Sequence, residues 1–229
     1  MAKQTPQPLK VLYHLHPSLD TLDFTGPLEI LSHATYTPTP DSDTDYSKVF
    51  HNTITAASEH TTSNQNCIFK RHISVPEAYA TLTDYDVLII PGGGSPGVLT
   101  GKTEPLGLIK AFAALPKREN GRVRTLMSVC TGSLFLGETG VLNGLSATTH
   151  KNYYGRLREV CESKGKTNVL QERFVVNKAD EKGLRVITSG GVSCGLDASL
   201  WLIGDVAGKE SRERVMDVVQ YAWREGVVL

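Results

Sequence analysis

The sequence is short of net charge, cysteine and long apolar runs, and each shortage argues against a class of protein. The 24 lysines and arginines balance the 24 aspartates and glutamates, so the formal net charge is zero at pH 7. Because proteins that bind phosphate backbones carry a basic excess, we expect no nucleic-acid partner. No apolar run approaches the roughly 20 residues that cross a bilayer, so we expect no membrane span either.

The four cysteines are widely spaced along the chain. They are Cys67, Cys130, Cys161 and Cys194, and they form neither a CxxC pair nor a zinc-type cluster with histidine. We therefore expect no metal site, and the even count does not by itself imply disulfides in a cytosolic chain of this size. Three of them are most simply structural or incidental, although Cys194 falls in a glycine-rich turn and its role stays open.

The N-terminus lacks the apolar core of a signal peptide, because residues 1–8 form a polar stretch. We predict a polar tail over 1–8 and a cytoplasmic location. A chain of 229 residues fits one large domain. It contains no internal repeat, low-complexity tract or clear linker, so a single domain is predicted over 9–229.

The stretch Thr125-Leu-Met-Ser-Val-Cys-Thr-Gly-Ser-Leu-Phe-Leu136 is the one around which the chain is organised. It begins apolar and β-prone, reaches Cys130, passes at once into small residues and continues as a helix-prone run. The pattern predicts a strand, a sharp turn and a helix, which is the nucleophile-elbow arrangement with sulfur at the turn. A helix N-terminus there would favour the thiolate. The alternative is a buried, inert core cysteine.

A carboxylate follows the first predicted strand, Leu9–Leu15. Asp23 comes just before a helix that we expect to begin near Pro27, with Thr25 or Gly26 as its cap. On local sequence alone, a loop or capping role for this carboxylate is the simpler interpretation.

Two glycine-rich turns follow further apolar runs. Tyr85–Ile90 has the character of a central parallel strand and stops at Pro91-Gly-Gly-Gly-Ser-Pro-Gly97. Leu184–Thr188 is another strand and is followed by Ser189-Gly-Gly-Val-Ser-Cys-Gly195. Such glycines let the backbone approach a ligand or present N–H groups to an anion, and the alternative for the first turn is a flexible connection.

The remaining pattern supplies helices and edge strands. Val49–Thr55 and Ile68–Ile73 are predicted to form a hairpin or edge addition, and residues 36–47 a surface loop. Other predicted elements are a strand over Asn168–Val176, a short strand over Leu145–His150, and helices over Leu106–Leu115, Lys151–Ser163, Leu196–Val206 and Ser211–Trp223.

Alternation of strands and helices predicts an α/β fold with a doubly wound, mainly parallel sheet. Ligands of such sheets bind outside the carboxyl ends of the strands. Four strand exits carry the unusual residues, and we expect them to converge at one edge of the sheet. They are marked by Asp23, the Pro91–Gly94 turn, Cys130 and the Ser189–Gly195 turn.

Taken together, these motifs resemble the ThiJ/PfpI superfamily, and within it the isonitrile hydratase branch. The segments that carry the resemblance are Asp23-Phe-Thr-Gly-Pro-Leu-Glu29, Ile89-Ile-Pro-Gly-Gly93, Ser128-Val-Cys-Thr-Gly-Ser133, Ala147-Thr-Thr-His150 and Ser189-Gly-Gly-Val-Ser-Cys-Gly-Leu-Asp197. The resemblance runs from about Leu9 to the final helix. It implies a flavodoxin-like sandwich, a homodimer, and a nucleophilic cysteine beside an acidic residue.

Carried over residue by residue, the resemblance assigns Cys130 as the nucleophile and Asp23 as the acid. The N–H groups of Thr131 and of the Gly92–Gly93 turn match the anion-stabilising positions. Gly191 and Val192 are assigned to the same oxyanion and substrate-binding set, and the Thr131 hydroxyl to positioning substrate or water.

A threonine after the cysteine is informative. Other branches of the superfamily carry histidine there, so Thr131 argues against a Cys-His hydrolytic dyad at the elbow. His150 could approach in space, but a strand-end histidine engaged in hydrogen bonds is the favoured interpretation.

The resemblance implies a hydro-lyase that acts on a small molecule without cofactor or metal. It would convert an isonitrile, R–N≡C, to a formamide, R–NH–CHO, through a thioimidate on Cys130. Three alternatives stay open: a glyoxalase or deglycase acting on 2-oxoaldehydes, a cysteine redox sensor, and a ligand-sensing module of the kind fused to helix-turn-helix regulators. The chain ends at Leu229 without a basic excess, so we expect an enzyme.

Overall fold

In the computed structural model, which describes residues 7–36 and 47–229, a largely parallel sheet lies between two layers of helices. The strands are β1 (Leu9–Leu15), β2 (Phe50–Ala56), β3 (His60–Thr62), β4 (Ile68–Lys70), β5 (Ile73–Ser74), β6 (Val87–Ile90), β7 (Arg124–Ser128), β8 (Ser146–Ala147), β9 (Asn168–Val169), β10 (Phe174–Val176), β11 (Leu184–Ser189) and β12 (Val227–Val228). The helices are α1 (Thr21–His33), α2 (Val75–Ala80), α3 (Ser95–Gly101), α4 (Leu106–Ala113), α5 (Gly132–Glu138), α6 (Tyr154–Glu162), α7 (Cys194–Ala207) and α8 (Lys209–Val218).

The central sheet has the strand order β12-β10-β11-β7-β6-β1-β2-β5. Its pairs are parallel except β10 with β11, which is antiparallel. Two small sheets lie outside it, a β3–β4 hairpin and the pair β8–β9. The predicted flavodoxin-like, doubly wound fold is confirmed.

Side chains of the central strands alternate between two hydrophobic cores. Along β1, Tyr13 faces the core formed with α1, α7 and α8, whereas Leu12 faces the core formed with α2 to α6. This period of two follows from strand geometry. Because both faces are covered, the inner strands are almost continuously apolar, as in other parallel sheets.

The start of the first helix was predicted wrongly. α1 begins at Thr21, and Asp20 is its N-cap, accepting a hydrogen bond from the Leu22 N–H at 3.2 Å. Pro27 lies inside the helix rather than at its start. Its ring packs against α7, where a Cβ on Gly195 would lie 3.4 Å from the proline Cγ. Tertiary packing thus compensates for the helix bond that proline removes.

Of the two alternatives predicted for Val49–Thr55 and Ile68–Ile73, the hairpin is wrong, whereas addition at the sheet edge holds for β2 and for Ile73 in β5. β2 runs parallel to β1 over its full length and lies inside the central sheet. The connection after it is long enough to form its own hairpin, β3–β4, before the chain returns as β5 beside β2. The predicted strand over Asn168–Val176 is divided into β9 and β10.

Two predictions fall mainly outside the described residues. The surface loop over 36–47 is described only at its two ends, and the N-terminal tail only at Gln7 and Pro8. In the described part of the chain, no helix is both long and apolar enough to cross a membrane.

Candidate active site

The predicted elbow forms at the end of β7. Residues 124–128 are fully within the buried strand, and α5 begins at Gly132, two residues after the cysteine. Cys130 has a φ of +56°, in the left-handed region that L-residues avoid. A side chain on Gly132 would place its Cβ 2.5 Å from the Ile90 carbonyl oxygen, so only glycine allows the helix to begin this close to β6.

Buried hydrogen bonds fix the backbone of Cys130 in this conformation. Its N–H lies 3.1 Å from the Ser189 carbonyl oxygen and 2.9 Å from that of Gly190, and donates to both. Its own carbonyl accepts from the hydroxyls of Ser133 at 3.1 Å and Thr149 at 3.0 Å. Strained conformations of this kind persist only where the surroundings over-determine them, and here both backbone polar groups are constrained.

Asp23 reaches the sulfur from the other side of the turn. It lies in the first turn of α1 and is completely buried. Its Oδ2 accepts a hydrogen bond from the Gly92 N–H at 3.1 Å, and the carboxyl lies within hydrogen-bonding reach of the Cys130 thiol. The predicted convergence of the strand exits at one sheet edge is therefore confirmed.

The acid and the thiol perturb each other's pKa because both are buried and close together. Burial, followed by the charge of Asp20, raises the pKa of Asp23 to about 7. Burial, followed by the charge of Asp23, raises the pKa of Cys130 to about 12. Desolvation disfavours both charged forms, and a second negative charge beside the first is disfavoured further. The pair therefore carries at least one proton at neutral pH.

The elbow supplies N–H groups that favour a thiolate, as expected, but other influences on the sulfur are stronger. The helix N-terminus is present, but α5 is only seven residues long. Burial and the adjacent Asp23 carboxylate outweigh the N–H groups that lower the thiol pKa. The raised pKa of the Cys130 thiol favours a protonated sulfur beside Asp23 over a free thiolate at neutral pH.

Two backbone amides nevertheless face the sulfur, those of Val192 and Thr131, and both lower the thiol pKa. Val192 has a φ of +42°, a rare conformation for a β-branched residue. The resemblance assigned Val192, with Gly191, to the oxyanion and substrate-binding set. The structure adds that the Val192 N–H faces the sulfur. The strained backbone of both Cys130 and Val192 places the sulfur and the Val192 N–H opposite each other.

The amides of the glycine-rich turn after β6 were predicted to stabilise an anion, but in the structure they bind side chains of the site. The Gly92 N–H is used by Asp23, and the Gly93 N–H donates to the Thr131 hydroxyl oxygen at 2.9 Å. These amides hold the acid and the threonine instead of facing the sulfur. Close contact explains the glycines, because a Cβ on Gly92 would lie 2.6 Å from the Thr131 nitrogen.

His16 contributes to the site and was missed by sequence reasoning. Its Nε2 lies 2.9 Å from the Gly93 carbonyl oxygen, to which it must donate, and its ring meets Phe135 edge to face. The histidine therefore anchors the Pro91–Gly94 turn through the Gly93 carbonyl. A histidine immediately after the end of a central strand was the available signal.

His150 is hydrogen-bonded, as favoured from the sequence, and its Nδ1 accepts from the Asn152 N–H at 3.3 Å. Its ring packs directly on Gly191, where a Cβ would lie 2.3 Å from the ring carbon Cδ2. Gly191 thus gives the imidazole room beside the sulfur-facing turn. Among the described residues, no group of three or more His, Cys, Asp or Glu side chains could hold a metal ion.

Comparison with known proteins identifies the family. The DJ-1/PfpI family profile matches residues 9–201. The isonitrile hydratase of Pseudomonas putida is 26% identical over 220 residues, which cover 93% of this chain and 79% of that protein. A ThiJ/PfpI family protein from Pseudomonas syringae has a similar structure, with a TM-score of 0.71 at 21% identity over 98% of this chain and 83% of the other.

DJ-1beta of Drosophila melanogaster is also similar in structure, with a TM-score of 0.69 at 18% identity over 95% of this chain and 100% of the other. At these identities the two structures establish the fold alone. The matched span contains the elbow cysteine, the buried acid and both glycine-rich turns. The chain belongs to the DJ-1/PfpI family.

Proposed function

We propose that this protein adds water to an isonitrile to give an N-substituted formamide, with Cys130 as the nucleophile. The observation that carries the proposal is the buried acid–thiol pair. Asp23 and Cys130 share a proton in a desolvated site, and two backbone amides face the sulfur. An isonitrile carbon must receive both a nucleophile and a proton, and this pair can supply both. The likeness to an isonitrile hydratase supports the same substrate class.

The first step forms a thioimidate. With Asp23 ionised, its carboxylate accepts the thiol proton as the sulfur of Cys130 attacks the isonitrile carbon. The protonated Asp23 then donates that proton to the same carbon. The product is R–N=CH–S–Cys, and Asp23 is again a carboxylate. Because the proton moves within one pair, a high resting thiol pKa is compatible with the reaction.

The second step adds water. Asp23 takes a proton from water as the water oxygen attacks the thioimidate carbon, and returns it to the substrate nitrogen. The resulting R–NH–CH(OH)–S–Cys collapses when the C–S bond breaks and its electron pair returns to sulfur. The hydroxyl proton passes through Asp23 to the leaving sulfur. The sum is R–N≡C plus H₂O giving R–NH–CHO, with the thiol regenerated.

The surrounding residues have complementary parts in this proposal. The amides of Thr131 and Val192 stabilise negative charge as it develops on sulfur in the attack and in the departure. The Thr131 hydroxyl is anchored by the Gly93 amide and directs its own hydrogen toward substrate or water. The Gly92 N–H keeps Asp23 oriented, and Gly191 leaves room for the imidazole of His150 against the turn that carries Val192.

The test is direct infrared monitoring of isonitrile loss and formamide appearance with a simple aromatic isonitrile. The wild type, Cys130→Ala and Asp23→Asn would be compared, and methylglyoxal would be run in parallel. Cys67→Ser serves as the matched cysteine control, because Cys67 is exposed.

Formamide production should disappear in the Cys130 and Asp23 variants and persist in the control. Formamide production by Cys130→Ala would eliminate the proposed mechanism. Lactate from methylglyoxal without isonitrile turnover would transfer the assignment to the glyoxalase class.

A further inference from the structure

The turn that carries Val192 is tied at both ends to one residue outside it, Arg173. The Gly190 N–H donates to the Arg173 carbonyl oxygen at 2.9 Å. The Arg173 guanidinium donates through Nη2 to the Ser193 hydroxyl at 3.1 Å. Val192 lies between these two attachments. A single residue thus spans the segment whose amide faces the sulfur.

Arg173 is itself fixed by a buried carboxylate and a phenol. Its Nε donates to Asp197 Oδ2 at 2.5 Å, and its Nη2 also donates to the Tyr221 hydroxyl at 3.0 Å. The Tyr221 hydroxyl in turn donates to Asp197 Oδ2 at 3.1 Å. Asp197 is completely buried and the Arg173 side chain is 19% exposed, so this is a desolvated, charge-assisted network. The guanidinium has one well-defined orientation.

The network extends into residues 221–224, which we call the C-terminal strap. The Arg224 N–H donates to Asp197 Oδ1 at 2.8 Å, and the Trp223 indole N–H donates to the Asp197 carbonyl at 3.1 Å. The Arg212 guanidinium covers the Trp223 ring, with 4.0 Å between its Cζ and the ring centroid. Hydrogen bonds therefore connect the strap, the first turn of α7 and the Val192 turn.

We propose that Arg173 is a positioning residue for the nucleophile, acting through Ser193 to hold the Val192 amide toward the sulfur. The left-handed conformation of a valine is unfavourable by itself, so it requires external support. The Arg173–Ser193 bond supplies that support on the α7 side, where no side chain caps the helix. Without it the turn relaxes and the N–H rotates away from Cys130. The C-terminal strap supports the same amide indirectly, because its Tyr221 hydroxyl and Arg224 N–H bind Arg173 and Asp197.

The role of the Val192 amide in hydration rests on the proposed function. The test therefore uses alkylation of the sulfur, a reaction that does not depend on that function. Iodoacetamide alkylation of Cys130 would be followed across pH 7 to 10 by mass spectrometry, in a Cys67→Ser background. Ser193→Ala removes the hydroxyl that receives the guanidinium, and Tyr221→Phe removes the phenol that orients it. Ser211→Ala is the matched control, because its fully buried hydroxyl donates to the Thr35 carbonyl at 2.7 Å, away from the site.

We expect Ser193→Ala to slow alkylation roughly 3- to 10-fold at every pH, which is the order of effect of losing one ordinary net hydrogen bond, here that from the Val192 N–H to the sulfur. Tyr221→Phe should slow it about 2- to 3-fold. The double variant should be no slower than Ser193→Ala, because both changes act through Arg173. In hydration assays the same variants should lower kcat and leave KM within about 2-fold, and Ser211→Ala should match wild type in alkylation.

A Ser193→Ala protein that alkylates like wild type at every pH, while losing thermal stability as Ser211→Ala does, would overturn the proposal and leave a purely structural network. If the two substitutions slowed alkylation additively in the double variant, they would not act through Arg173 as a shared residue. If wild type hydrates no isonitrile but the alkylation differences appear, the proposed function fails and the positioning role of Arg173 stands.

Discussion

Replacing His14 by leucine should make the protein less sensitive to acid. His14 lies in β1 with 1% of its surface exposed, and neither ring nitrogen has a hydrogen-bond partner in the described part of the chain. Burial, followed by the neighbouring His16, lowers the pKa of His14 from 6.5 to about 3. The imidazole is neutral in the folded protein over a pH range in which the unfolded chain is protonated. Acid therefore favours unfolding through this residue.

The size of the effect follows from proton linkage. Between the unfolded pKa of 6.5 and about pH 5, the unfolded chain binds one proton at His14 that the folded protein does not. At about 1.4 kcal/mol per pH unit, this lowers the free energy of unfolding by about 2 kcal/mol. Asp23 acts in the opposite sense, because its pKa is raised to about 7 in the fold and its protonation stabilises the folded state as pH falls. His16, with its pKa lowered to about 4, acts like His14. Both are shared by wild type and variant and cancel in the comparison.

The assay is urea unfolding of wild type and His14→Leu at about pH 7.5 and about pH 5. Wild type should lose about 2 kcal/mol more than the variant over this range. At the higher pH, the variant should be at least as stable, because leucine removes two unpartnered nitrogens from the core. His51→Leu, at an exposed position on the neighbouring strand β2, is the control and should retain the wild-type acid sensitivity. Equal losses in wild type and His14→Leu, or a His14 ring that titrates by NMR near 6.5, would refute the reasoning.

Three further predictions concern the candidate site. Hydration kcat/KM should rise with pH through about 7, because the ionised form of Asp23 accepts the Cys130 proton, and a flat or falling profile from pH 5 to 9 would contradict that assignment. Thr149→Val removes one of two buried donors to the Cys130 carbonyl and should lower the free energy of unfolding by about 0.5–1.5 kcal/mol, with Thr149→Ser restoring most of it in denaturant titrations. Gly132→Ala should give little soluble protein, since its Cβ would lie 2.5 Å from the Ile90 carbonyl oxygen; wild-type expression and thermal midpoint would disprove the claimed constraint.

Local patterns were enough to predict the elbow and the class of fold. An apolar run followed by small residues and a helix-prone run favours a strand, a turn and a helix in that order, and β7 and α5 form as this pattern predicts. Alternating strands and helices require parallel crossovers, and parallel crossovers bring the strand exits to one edge. Asp23 and Cys130 were therefore correctly placed together, although they are separated by more than a hundred residues in the sequence.

Other features of the fold depend on contacts between segments that are far apart in the sequence, and local sequence patterns do not reveal those contacts. Pro27 predicted the wrong helix start, because its packing against Gly195 on α7 makes an interior proline acceptable. For β2 the sequence left a hairpin and an edge addition open, because the residues of the strand do not show that it pairs in parallel with β1.

The electrostatics of the site were decided by tertiary structure. The sequence by itself determined that a cysteine would stand at a helix N-terminus, and this alone favours a thiolate. Folding then buried that sulfur beside Asp23, and desolvation with a like charge raised its pKa to about 12. The left-handed conformation of Val192, which carries the opposing amide, is likewise visible only in the folded structure, where Arg173 donates to the neighbouring Ser193 hydroxyl. The amino-acid sequence determines which ionisable groups are present. Their burial and the distances between them, which set their pKa values, depend on the packing of the whole molecule.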